Sequence, residues 1–186
     1  MKRTGALLAI ALSGFIAVGI AVAGLNDNWS THLKGKFEVP ARDTNAQGQA
    51  LFQLSDDGNS VSYKLIASNI FNVVQAHIHC GPAGVNGPII VWLFPSVTAR
   101  EALVGPQPRT DGVLAEGAFG DADVIDRPQG SPPNGCPAMA VSGLADVLEL
   151  LNTGQAYVNV HTNDNVAPAN TGPGDFPGGE VRGQVD

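Results

Sequence analysis

The chain has 186 residues, and its 17 aspartates and glutamates outnumber its 10 lysines and arginines, which gives a formal net charge of −7. A protein this acidic has no general attraction for the phosphate backbone of DNA or RNA, and no basic cluster provides one locally. The same charge disfavours anionic membrane surfaces. We therefore expect no nucleic-acid partner and no membrane contact beyond the N-terminus.

The N-terminal segment has the pattern of a secretory signal peptide. Two basic residues precede the apolar stretch 5–20, which ends near a small-residue cleavage site at 21–23. We expect residues 1–23 to be this signal and residues 24–186 to form a single secreted domain, in the periplasm or at the cell surface. The apolar stretch is also close to the roughly 20 residues that span a bilayer, so an uncleaved signal would act as a membrane anchor.

The composition favours an all-β domain. The chain contains 23 glycines and 13 prolines, and its apolar runs are short and separated by turn residues. We expect an antiparallel β-sandwich or barrel with one short helix and long Gly/Pro-rich loops. The predicted strands are residues 33–40, 48–54, 61–67, 70–79, 89–94, 112–119, 155–162 and 179–185.

One helix is predicted, because four apolar residues recur at helical spacing: Leu144, Val147, Leu148 and Leu151. Ser142 precedes them and is a good N-cap residue. Gly154 follows them at the position where a glycine commonly ends a helix.

The two cysteines, Cys80 and Cys136, allow two interpretations. In an exported protein, two cysteines most simply form one disulfide. It would close a loop of more than fifty residues, for which the chain-entropy model gives about 4 kcal/mol of stabilisation. The alternative is that Cys80, which follows His79 directly, is a metal ligand.

The strongest chemical signal is the segment 75–88, which holds two of the four histidines. Its pattern indicates a strand, a tight Gly/Pro turn and the start of a second strand. Strand alternation would place His77 and His79 on one face, with Cα atoms roughly 6.5–7 Å apart. Both rings can then converge on one metal ion. Asn159 and His161 share a face of another predicted strand in the same way.

Several segments, taken in chain order, resemble the motifs of the CHRD domain, a family named after the repeats of chordin. These segments are Glu38-Val39-Pro40, the hairpin around Asp57-Gly58, and residues 76–79, 81–88, 157–162 and 179–184. The resemblance covers roughly residues 31–185. It implies an extracytoplasmic β-rich domain and does not imply a reaction. The chain departs from the family pattern at Cys80, where a second glycine is usual, and in the long loop 163–178.

The histidines support two main hypotheses. In the first, His77, His79 and His161 bind a transition metal, because imidazole suits copper and zinc. Copper is favoured over zinc. In the second, the protein is an extracellular interaction or structural module without a metal, and the imidazoles fasten neighbouring loops to the sheet. Ring nitrogens within about 4–5 Å of one another would favour the first hypothesis. Separated rings, each bonded to a backbone carbonyl, would favour the second.

An enzyme of the superoxide-dismutase type is a third hypothesis, which we place last. Such a complete dinuclear site needs more metal ligands, and His32 is the one histidine that remains. The sequence also has no nucleophile elbow and no phosphate-binding glycine loop. We therefore assign no catalytic residues and expect binding rather than catalysis.

Overall fold

Eight strands form one antiparallel sheet in the computed structural model, which describes residues 27–98 and 100–186. The predicted signal, residues 1–23, lies outside the described residues. In chain order the strands are β1 Asn28–Lys34, β2 Gln47–Leu54, β3 Ser60–Ile70, β4 Val73–Cys80, β5 Ile89–Phe94, β6 Thr110–Gly120, β7 Ala156–Thr162 and β8 Val181–Gln184.

The strand order in the sheet is β5-β4-β7-β8-β1-β2-β3-β6. The two edge strands, β5 and β6, also contact each other, so the sheet curls into a nearly closed, barrel-like shape. This confirms the expected all-β antiparallel fold. The order also places β4 beside β7 and β7 beside β8, which brings together three segments that are far apart in the sequence.

The apolar core lies on one face of the curled sheet. On β4 it takes Ala76, Ile78 and Cys80, and on β7 it takes Val158 and Val160. Strands β4 and β7 are also buried on their other face, because loops cover it. Strand β1 differs, since its buried and exposed residues alternate strictly. The covered second face of β4 and β7 is where the predicted histidines lie.

The first strand lies earlier in the chain than predicted. The expected strand 33–40 is wrong over most of its length, because β1 ends at Lys34 and a 3₁₀ turn, Gly35–Phe37, follows. The backbone of Gly35 accepts hydrogen bonds from the amides of Glu38 and Arg42, which closes the chain into a turn. This turn takes Glu38 out of the sheet and buries it.

The single described helix, α1, spans Leu144–Asn152 and begins after Gly143 rather than after the predicted cap Ser142. The carboxylate of Asp121 accepts a hydrogen bond from the Leu144 amide at 2.9 Å, so a distant side chain caps this end. The apolar face of α1 is buried, as its spacing predicts. No helix among the residues the structure describes is long and apolar enough to cross a membrane.

A disulfide joins Cys80 and Cys136, as the first interpretation of the cysteines predicts. It ties the long loop after β6 to the end of β4, and both residues are fully buried. Cys80 lies with the apolar core, on the β4 face opposite to His77 and His79. The alternative role of Cys80 as a metal ligand is therefore wrong.

Candidate metal centre

The pairing of β4 with β7 brings the three predicted histidines together. In this antiparallel register His77 lies opposite Asn159, His79 opposite Tyr157, and Gln75 opposite His161. Because alternate residues of a strand share a face, all of these side chains project from the same face of the sheet. Three of these side chains are histidines, His77, His79 and His161, and each of them is buried.

The three imidazoles converge. One ring nitrogen from each of His77, His79 and His161 lies within 4.8 Å of the others. Nδ1 of His77 lies 3.2 Å from Nε2 of His161. Trp92 packs edge-on against His77, with ring centroids 4.3 Å apart. Tyr157 stacks on His79 at 4.8 Å, with 8° between the ring planes.

Two of the imidazoles are held through their outer nitrogens. His79 donates from Nδ1 to the Gly87 carbonyl, and His161 donates from Nδ1 to the Pro177 carbonyl, both at 2.8 Å. A carbonyl oxygen can only accept, so each Nδ1 carries the proton and each Nε2 presents a lone pair. The first criterion set out from the sequence is met, because the ring nitrogens converge. The second is met only in part, because two of the rings bond to backbone carbonyls but the rings are not separated.

Two nitrogens of the cluster are left without partners. Within the described part of the chain, Nε2 of His77 and Nε2 of His79 are buried and make no hydrogen bond. A buried polar atom without a partner costs about 1–3 kcal/mol. Metal-binding histidines characteristically hold a carbonyl on one nitrogen and offer the other to the ion, which is the pattern at His79 and His161.

The surroundings keep all three rings neutral at neutral pH. Burial, followed by the nearby His161, lowers the pKa of His79 to about 3 against the opposing effect of the Gly87 carbonyl. Burial lowers the pKa of His161 to about 4. Burial, followed by the charges of its two histidine neighbours, also places the pKa of His77 far below its ordinary range. Neutral imidazole is the form that binds metal.

A second set of contacts holds the loop 81–88 against the site. Tyr157 accepts a hydrogen bond from the Gly87 amide at 3.0 Å, through its hydroxyl. Arg182 on β8 lies over the same tyrosine ring, with its guanidinium carbon 3.4 Å from the centroid. The guanidinium also donates to three acceptors of the loop: the carbonyls of Pro82 and Val85, and Oδ1 of Asn86.

The long loop after β7 is fastened by Glu180. Its buried carboxylate accepts hydrogen bonds from the hydroxyls of Thr44 and Thr162 and from the Gly174 amide, at 2.6–2.9 Å. This anchoring brings Pro177 over the sheet, where its carbonyl meets His161. Glu180 and Arg182 are therefore structural residues, and each is bonded to loop groups.

His32 lies apart from the cluster. It is exposed on β1, and the convergent group found among the described residues contains the other three histidines without it. Two residues that border the cluster escaped the sequence-based prediction as site residues. Asn159 was visible only as a polar neighbour two positions before His161. Glu38 was assigned to a strand, although it opens the first CHRD-like segment.

Comparison with known proteins identifies the family. The model of the CHRD domain matches residues 29–185, which is nearly the whole described chain. No curated protein and no solved structure matches. CHRD domains are extracellular-type modules, and the Cys80–Cys136 disulfide fits that environment. The chain belongs to the CHRD domain family.

Proposed function

We propose that this protein binds one transition-metal ion through His77, His79 and His161, and that copper is favoured over zinc. The observation that carries the proposal is the convergence of one ring nitrogen from each buried imidazole within 4.8 Å. Imidazole nitrogens bind such ions at about 2.0–2.1 Å, so two ligands of one ion lie roughly 3–4 Å apart. The 3.2 Å between His77 and His161 falls in this range.

The preference for copper rests on ligand chemistry. Imidazole suits copper and zinc, and among divalent ions of the first transition row Cu(II) binds a given nitrogen site most tightly. Cys80, which follows His79 in the chain, is in a disulfide and offers no thiolate. A site of neutral imidazoles therefore favours Cu(II), with Zn(II) as the second candidate.

The alternative function is an extracellular interaction or structural module in which the histidines are only loop fasteners. The bonds from His79 to Gly87 and from His161 to Pro177 support that role. A fastener, however, needs only the Nδ1 atom. It leaves Nε2 of His79 buried and without a hydrogen-bond partner within the described chain, at a cost that a bound metal would remove.

A metal titration separates these functions. Cu(II) and then Zn(II) would be added to metal-free, oxidised protein while calorimetry records stoichiometry and the melting temperature is followed. We expect one equivalent to bind tightly and to stabilise the protein by about 2.7 kcal/mol when free metal is a hundred times Kd.

Matched variants locate the site. The double variant His77→Ala/His79→Ala should lose the bound equivalent, whereas His32→Ala should keep it, since His32 is exposed and lies outside the cluster. Absence of binding by the native protein, or equal binding by the double variant, would contradict the proposal and favour the fastener role.

A further inference from the structure

Asn159 lies within the histidine cluster. It is buried on β7 directly opposite His77, and its amide oxygen Oδ1 is 2.9 Å from Nε2 of His161. His161 uses Nδ1 to donate to the Pro177 carbonyl, so its Nε2 carries a lone pair. Two acceptor atoms therefore face each other at hydrogen-bond distance with no proton between them.

In the structure the amide nitrogen of Asn159 lies on the side away from the imidazoles. Glu38 lies on that side: a Cβ placed on Gly179 would be 2.5 Å from Oε1 of Glu38 and 2.8 Å from Nδ2 of Asn159. The amide nitrogen of Asn159 thus points toward the carboxyl group of Glu38. Oε1 of this carboxyl accepts no hydrogen bond from the described residues. Rotating the amide by 180° would set its oxygen against that carboxyl, which is unfavourable when the carboxyl is ionised.

Asn159 therefore presents its oxygen to His161 and its nitrogen to the side of Glu38.

We propose that Oδ1 of Asn159 is a fourth ligand of the metal site, and that Glu38 is a positioning residue that orients it. This inference rests on the proposed function, because it adds an oxygen to the three imidazole nitrogens. A cation placed among His77, His79, His161 and Asn159 would bind one ring nitrogen of each imidazole together with the amide oxygen. The resulting set of three nitrogens and one amide oxygen is suited to Cu(II).

The test uses full-length, oxidised protein loaded with one equivalent of Cu(II). The dissociation constant would be measured by competition with a chelator, and the electron paramagnetic resonance spectrum would report the copper ligands. Asn159→Ala should still bind one equivalent, with affinity reduced at least tenfold and an altered spectrum. Asn159→Asp, which supplies an anionic oxygen, should recover the affinity. Gln75→Ala, a change on the same sheet face, should match the native protein.

The role of Glu38 is read from the same spectrum. Glu38→Ala should reproduce the altered spectrum of Asn159→Ala, while Glu38→Gln, which keeps an acceptor, should restore the native one. An Asn159→Ala protein with native affinity and native spectrum would overturn the inference while leaving the three-histidine site intact. Failure of the native protein to bind Cu(II) would instead overturn the proposed function. Melting of the metal-free variants serves as the control for folding.

Discussion

The guanidinium of Arg182 lies 3.4 Å from the centroid of the Tyr157 ring, and the same ring stacks on His79. Arg182 also holds the loop 81–88 through its hydrogen bonds to Pro82, Val85 and Asn86. The buried side chain of Arg182 thus contacts both groups that hold His79. It bonds to the loop whose Gly87 carbonyl accepts from His79, and it packs on the tyrosine ring that stacks on His79. Much of the geometry of the site depends on this contact.

Arg182→Lys is therefore expected to destabilise the protein by about 2–4 kcal/mol, because lysine cannot reproduce the fork of donors that reaches several acceptors. Urea unfolding would measure the change. Arg109→Lys is the matched control: Arg109 pairs with Asp111 at the surface, where both side chains are about half exposed, and its substitution should cost less than about 0.5 kcal/mol. Equal effects of the two changes would contradict this role for Arg182.

The disulfide should make a large contribution to stability. Cys80 and Cys136 are 56 residues apart, and closing a loop of that length stabilises a protein by about 4 kcal/mol in the chain-entropy model. Cys80→Ala/Cys136→Ala should therefore lower the free energy of unfolding by about 2–4 kcal/mol. Urea unfolding of the variant and of native protein with and without reductant would check this. If reductant leaves the unfolding free energy of the native protein unchanged, the disulfide contributes little to stability.

Acid should weaken the metal-free protein through the buried histidines. The folded pKa values of His79 and His161 are lowered from 6.5 to about 3 and about 4. Between pH 6.5 and pH 4 the unfolded chain therefore binds protons that the folded chain refuses, so stability falls as the pH falls. At pH 5 the loss approaches about 2 kcal/mol for each imidazole. Unfolding free energies that stay constant from pH 7 to pH 5 would contradict this burial.

Glu38 should act in the opposite direction. Burial raises its pKa from 4.5 to about 7, so the folded protein holds this proton more tightly than the unfolded chain, and stability falls as the pH rises from 4.5 to 7. Glu38→Gln removes the charge, so it should stabilise the metal-free protein by up to about 3 kcal/mol at pH 8. The gain should disappear below pH 4.5. Urea unfolding across this range would measure it, and a gain independent of pH would rule out the buried carboxyl as its cause.

Strand periodicity predicted that His77 and His79 share one strand face and that Asn159 and His161 share another. It did not predict that these two strands pair, and this pairing brings the three imidazoles together. The contribution of Glu38 could not be predicted in this way. It depends on the turn at Gly35–Phe37 and on a contact with Asn159 that is 121 residues away in the sequence. Periodicity describes single strands and carries no information on such long-range packing.

Loop contacts determine another feature of the site that the sequence could not predict. The sequence indicated that His79 and His161 could hold the neighbouring loops, but it could not show which ring nitrogen each loop occupies. The carbonyls of Gly87 and Pro177 decide this, because both bind Nδ1 and leave Nε2 facing the cluster. The positions of those carbonyls depend in turn on Arg182 and Glu180, which lie on β8 or just before it.

The central claim, that three imidazoles bind one ion, is tested most directly by X-ray absorption at the copper edge of protein carrying one equivalent of Cu(II). We predict nitrogen ligands at about 2.0 Å with the outer-shell scattering of three imidazole rings, reduced to two rings in His79→Ala. A spectrum without imidazole scattering, or one unchanged in His79→Ala, would contradict the claim and leave the histidines as fasteners of the loops.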